Sequence, residues 1–181
     1  MKWIYSPPNL IKKIFSNFIW ESKSDKILLT FDDGPNPQTT ELILKSLRDR
    51  NVKGLFFCVG DNVMKYESLT KEILDEGHEI GNHTFNHKSL FCLPKKEVNE
   101  QIQKVNLDFQ NKFGKELKYF RPPFGKIDLN TNAIAKQNSL QTVMWTLITY
   151  DFKNDFHKVK FSVNNFLTKN TIVVLHDNIK C

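Results

Sequence analysis

Residues 26–50 read KILLTFDDGPNPQTTELILKSLRDR, and this stretch decides the fold. Ile27–Phe31 is a short apolar run of strand length. Asp32-Asp33-Gly34-Pro35 interrupts it with turn formers, and Asn36-Pro37 opens a helix-like segment, Pro37–Arg50, in the N-cap/N1 arrangement. The unit recurs along the chain. Further apolar runs lie at Leu55–Val59, Glu79–Thr84, Tyr119–Phe124, Gln141–Trp145 and Thr171–His176. Between them fall helix-like segments at Val63–Glu76, Pro94–Phe113, Leu129–Asn138 and Phe156–Lys169, with Gly77 and Gly114 where helices should stop. Strands alternating with helices imply an α/β fold of βαβ units with parallel strands, either an open doubly wound sheet or a barrel.

The 181 residues suit one main domain over residues 26–181, preceded by an amphipathic extension over residues 1–25. A closed eight-stranded barrel takes about 250 residues, so any barrel here lacks at least one unit, expected at the C-terminal side. At 40% hydrophobic and 25% charged, the composition excludes a disordered or collagen-like chain. The net charge of +6 comes almost entirely from dispersed lysines, which read as a solvated surface, and no nucleic-acid-binding motif accompanies them. Cys58, Cys92 and Cys181 are far apart with no CxxC, which argues against a disulfide framework and a thiolate zinc site. Cys58 reads as a core residue.

No run of about 18 apolar residues spans a membrane. The N-terminus fails as a signal peptide because Pro7-Pro8 and Lys12-Lys13 break any apolar core, so cytoplasmic residence is the default expectation and envelope association the alternative. Ile11, Ile14, Phe15, Phe18 and Ile19 recur at helical spacing. They predict a short helix packed on the domain or a membrane-surface contact through residues 8–20.

In parallel α/β folds, ligands gather beyond the carboxyl ends of the strands. Those ends read Asp32-Asp33, His83-Thr84-Phe85-Asn86-His87, Arg121-Pro122-Pro123-Phe124-Gly125, Asp151-Phe152 and His176-Asp177. His83 and His87, at i and i+4, would share one face if a helix begins there, and two imidazoles with a carboxylate and open positions make a catalytic metal site. Asp32 and Asp33 should point to opposite faces of a strand, but the turn that follows can bring both to one pocket, one binding metal and the other acting as base on the attacking water. Arg121, in a chain that otherwise favours lysine, predicts a planar fork gripping a carboxylate in two places. His176 is a candidate general acid, with Asp151 as the partner that keeps it charged. His78 and His157 read as structural or solvated.

TFDDGP at 30–35, HTFNH at 83–87, RPPFG at 121–125, the Asp-aromatic pair at 151–152 and the apolar-x-His at 174–176 resemble, in order, the five motifs of the polysaccharide deacetylases, the NodB-homology enzymes of carbohydrate esterase family 4. The resemblance covers about residues 26–177. It implies a distorted, incomplete (β/α) barrel and hydrolysis of N-acetyl groups on amino-sugar glycans such as peptidoglycan or chitin-like oligosaccharides, dependent on a divalent metal, zinc foremost. By position, Asp33, His83 and His87 would bind the metal and Asp32 would be the base, oriented by Arg121. His176 would be the acid, tuned by Asp151. The Phe124 N–H would stabilise the oxyanion, Pro123 would stiffen the loop at the substrate, and Phe152 and Val174 would line the acetyl pocket. Phe124 stands where the family commonly has Tyr, a change that a role of the backbone alone tolerates, while Phe152 in place of Trp and Val174 in place of Leu predict a roomier pocket. A related amidohydrolase or deformylase of a lipid-linked sugar or small amide is the alternative activity. The oligomeric state is left open.

Overall fold

The computed structural model describes residues 5–126 and 128–178; residues 1–4 of the extension and Cys181 lie outside them. Seven strands form one parallel sheet: β1 (Leu28–Asp32), β2 (Leu55–Cys58), β3 (Glu79–Asn82), β4 (Tyr119–Phe120), β5 (Gln141–Thr142), β6 (Leu147–Ile148) and β7 (Ile172–His176). Their order is β5-β4-β3-β2-β1-β7-β6, and every pairing is parallel. The helices are α1 (Asn9–Ile14), α2 (Thr40–Arg48), α3 (Gly60–Lys65), α4 (Glu67–Asp75), α5 (Lys95–Phe113), α6 (Leu129–Gln137) and α7 (Phe156–Phe166).

Strand alternation sorts the side chains into two layers. Phe31, Phe56, Cys58, Ile80 and Phe120 pack outward against helical residues including Leu44, Ile73, Ile102 and Phe109. Leu55, Phe57, Val143 and Ile172 meet on the other face. Residues from β2, β7 and the end of β5 can form one cluster only if the sheet curls, so the architecture is an incomplete α/β barrel with helices outside. The curl is tight enough that a Cβ at Gly81 would lie 2.6 Å from the Phe57 ring.

The N-terminal segment lies against this barrel. Ile19 bridges Val143 in parallel and Glu21 bridges Thr171 in antiparallel fashion, while Phe18 and Trp20 are buried with Met144. Ile11 and Phe15 pack on that cluster, whereas Ile14 faces solvent, so the five-residue apolar stripe is split where α1 ends.

Two local expectations are corrected and one strand is added. The helix after the DDGP turn begins at Thr40 rather than Pro37, because the Asn36 side chain accepts from the Gln38 N–H and builds a turn first. The segment Val63–Glu76 is two helices, separated at Tyr66, whose φ of −119° and ψ of 54° leave the helical region. Leu147–Ile148 forms a strand that two residues between threonines do not announce; its pairing with β7 makes it one. Gly114 does end α5 in the left-handed conformation, φ 65°.

Candidate active site

The inward positions of the strands build the site. Leu28, Thr30 and Asp32 alternate along β1, and Ile172, Val174 and His176 along β7, with Asp32 in register with His176. His83 and Arg121 follow β3 and β4. Their carboxyl ends open onto a cavity of about 780 Å³ that Asp32, Asp33, His83, His87 and His176 all line.

Asp33 would point outward if the strand continued. Its φ of 78° reverses it, the Asn62 side-chain amide donates to its carbonyl at 2.8 Å, and its carboxylate turns inward. Aspartate tolerates this region better than most residues. The HTFNH segment is a loop and not the start of a helix: Thr84 at φ 67° and His87 at φ 56° fold it back on itself. A left-handed β-branched residue is strained, and the buried Asn82 holds it by accepting from the Thr84 N–H at 2.8 Å while donating to α5.

The loop places His87 Nε2 3.0 Å and His83 Nε2 3.4 Å from the same Asp33 oxygen, with ligand atoms of all three within 4.8 Å of one another. His83 Nδ1 lies 2.7 Å from the Arg121 carbonyl oxygen, which can only accept, so Nδ1 carries a hydrogen and Nε2 is the nitrogen turned to the carboxylate. One carboxylate oxygen facing two imidazole nitrogens is a donor set suited to a divalent metal. Ligand bonds of about 2.0–2.1 Å in a tetrahedral site put ligand atoms about 3.3 Å apart, so the residues present fit a zinc-type ion. Burial alone would raise the Asp33 pKa, but the hydrogen bonds and charges of the two histidines outweigh it and hold the carboxyl far below the usual carboxylate range.

Asp32 is held separately. Arg121, 0% exposed, donates at 2.7 Å to Asp32 Oδ1 and at 2.7 Å to the Thr30 hydroxyl. Its remaining nitrogens donate to the Val143 and Met144 carbonyls, and its guanidinium stacks 4.1 Å from the Phe57 ring. The expected two-point grip on a carboxylate is therefore a single contact, because the fork is shared between one carboxylate and the backbone after β5. Arg121 nonetheless orients two site residues, Asp32 with its side chain and His83 with its carbonyl.

His176 Nδ1 lies 2.8 Å from Asp151 Oδ1, and the His176 N–H donates to Asp151 Oδ2 at 2.5 Å, which leaves Nε2 for the cavity. Burial would lower the His176 pKa, but the Asp151 hydrogen bond and the charges of Asp32, Asp151 and Asp33 raise it overall. Phe152 packs edge-on against His176, and Phe124, 64% exposed with φ 61°, packs edge-on against His87.

Phe124, Phe152 and Val174 line the cavity. Pro123 is buried beside it and is absent from its lining. Trp145, Ile148 and Asn62 line it too and were not anticipated, although Trp145 ends an apolar run and so carried a signal. Asp177 was also missed. It is fully buried beneath the site, and burial, with the nearby Asp33 charge, raises its pKa despite hydroxyl donors on both oxygens.

Residues 21–143 match the polysaccharide deacetylase family. The chain is 39% identical over 164 residues to chitin deacetylase 1 of Saccharomyces cerevisiae, covering 86% of this chain and 53% of the relative. It is 35% identical over 149 residues to a peptidoglycan-N-acetylglucosamine deacetylase of Bacillus cereus, covering 82% and 54%. The chain thus spans about half the length of these two relatives. Among solved structures, the Bc1960 peptidoglycan N-acetylglucosamine deacetylase superposes with a TM-score of 0.86 at 30% identity, covering 93% of this chain and 80% of that one.

Proposed function

The chain belongs to the polysaccharide deacetylase family, and from that premise we propose that it hydrolyses N-acetyl groups on amino-sugar glycans of the chitin or peptidoglycan type. The observation that carries the reading is the convergence of the Asp33–His83–His87 group, the Arg121-held Asp32 and the Asp151-held His176 on one cavity.

A divalent ion held by Asp33, His83 and His87, zinc foremost, would supply Lewis-acid polarisation of the amide carbonyl and acidify water. Asp32, kept beside the Arg121 charge, takes the proton of the attacking water. His176, protonated through Asp151, gives a proton to the departing amine. The Phe124 N–H donates to the developing oxyanion. Phe152 and Val174, with Trp145 and Ile148, surround the acetyl methyl, and Pro123 stiffens the loop that presents Phe124. Acetate release from N-acetylglucosamine oligomers with added zinc tests the reading. Asp32→Asn is expected to abolish turnover while metal stays bound. No acetate from any glycan with any divalent metal would overturn the activity.

One observation favours a lipid-linked sugar as substrate, hydrolysed by the same residues. Leu10 (67% exposed) and Ile14 (59%) stand one helical turn apart on α1 beside the exposed Lys13, a pattern suited to an anionic membrane surface. Among the described residues no helix is long and apolar enough to cross a membrane. Co-sedimentation with anionic vesicles, lost in a Leu10→Ser/Ile14→Ser variant, would support this second reading.

A further inference from the structure

The first residue after β7, Asp177, is 0% exposed and has no ion-pair partner among the described residues. Its carboxylate instead spans two hydroxyls at the start of α2. Thr39 Oγ1 donates to Oδ1 and Thr40 Oγ1 to Oδ2, each at 2.5 Å. The Thr40 oxygen also accepts from the Asn36 N–H at 2.7 Å, so both ends of the 36–40 turn are tied to one side chain. The Asp177 N–H donates to the Asp32 carbonyl at 2.7 Å, extending the β1–β7 ladder by one bond exactly where β1 gives way to the reversed Asp33. Gly34 lies against the same carboxylate: a Cβ there would overlap Asp177 Oδ2. Gly34 has no positive φ, so the requirement for glycine comes from Asp177 and not from the backbone.

We propose that Asp177 is a positioning residue for the metal ligand Asp33: it clamps the chain on both sides of the Asp32–Asp33–Gly34 reversal, through the Asp32 carbonyl before it and the Thr39 and Thr40 hydroxyls after it. The reversal brings the Asp33 carboxylate to the histidines, so the clamp sets ligand geometry without touching ion or substrate. The adjacent His176 places the same strand end in charge of the acid and, through its neighbour, of the metal ligand. The proposal rests on Asp33, His83 and His87 being the metal site.

Zinc affinity, read by chelator competition, tests it without reliance on turnover. Asp177→Ala is expected to weaken zinc binding by about 10–100-fold, the range for loss of an outer-shell partner. It is expected to lower kcat while KM stays within about twofold. Asp177→Asn, which keeps the shape and one acceptor, should recover part of both losses, and Thr39→Val should show a smaller loss in the same direction. Gly34→Ala should mimic Asp177→Ala, and the two changes combined should cost less than their sum, because removing the carboxylate makes room for the methyl. If the alanine and asparagine variants melt at lower temperature yet keep zinc affinity and kcat within about twofold, Asp177 is merely structural and the proposal fails. Where Asp177→Ala does not fold, Thr39→Val and Gly34→Ala decide by the same readouts. A wild-type protein that binds no zinc overturns the site itself, and this proposal with it, whereas zinc binding without acetate release removes only the proposed activity.

Discussion

Arg121 shows how much one side chain can organise. It is buried, faces Asp32 at 2.7 Å and spends its other donors on Thr30 and two backbone carbonyls. Burial lowers its pKa and Asp32 pulls the other way; the net shift is downward from an ordinary value so high that the guanidinium remains charged. Arg121→Met leaves Asp32 without its cation in a buried site. The expected loss is about 3–5 kcal/mol of stability, read from urea unfolding, together with loss of turnover. An unfolding midpoint equal to wild type would contradict it. His176 offers a second test. As the proposed general acid it must be protonated, and its raised pKa would extend activity above the ordinary imidazole value of about 6.5. Asp151→Asn removes the largest raising cause, so the alkaline limb of kcat/KM is expected to move to lower pH. The stability sign follows from the same shift: the pair stabilises the fold fully below about pH 6.5 and the contribution is lost as pH rises through the folded value. The variant should therefore lose more stability at pH 5.5 than at pH 9.

Strands carry the site because their alternation is strict. Asp32 and His176 sit in register on β1 and β7, and His83 and Arg121 are the first residues after β3 and β4. Gly81 is the narrow point of this layer. Gly81→Ala puts a methyl 2.6 Å from the Phe57 ring and 3.2 Å from the Tyr119 carbonyl oxygen. Phe57 is itself the surface on which the Arg121 guanidinium stacks. The substitution is expected to cost about 1–3 kcal/mol in chemical denaturation and to reduce kcat by displacing Arg121. A variant as stable and as active as wild type would show that the ring can move freely. Helix boundaries were less predictable than strand faces. The Asn36 turn that delays α2 to Thr40 is held by bonds from Thr40 and Thr39 to Asp177, 137 and 138 residues away, and no local pattern reports that part.

At the scale of the molecule, the proposed metal site ties two remote segments together, the end of β1 and the loop after β3. An ion that binds the folded chain alone stabilises it by mass action, by about 2.7 kcal/mol at a hundredfold excess over its Kd. Zinc is expected to raise the melting temperature of chelator-treated protein, and Asp33→Ala or His87→Ala to remove most of that rise. A melting temperature indifferent to chelator and zinc would show that the three side chains hold no ion.

The sequence alone determined the parallel α/β architecture, the strand ends as the seat of chemistry and the identity of the residues gathered there. Periodicity and turn formers are local properties, and each of the five motifs is a stretch of six residues or fewer. The tertiary structure alone decided how Asp33 escapes strand alternation, why the HTFNH segment is a loop, how the Arg121 fork is divided and what Asp177 does. Three of these depend on a partner more than 20 residues away: Asn62 for Asp33, Val143 and Met144 for Arg121, Thr39 and Thr40 for Asp177. The HTFNH loop is held by the nearby Asn82, which is itself anchored to Ile102 on α5. Hydrogen-bond partners of buried groups are fixed by which chain segments the curled sheet brings together, and a one-dimensional pattern does not encode that distance.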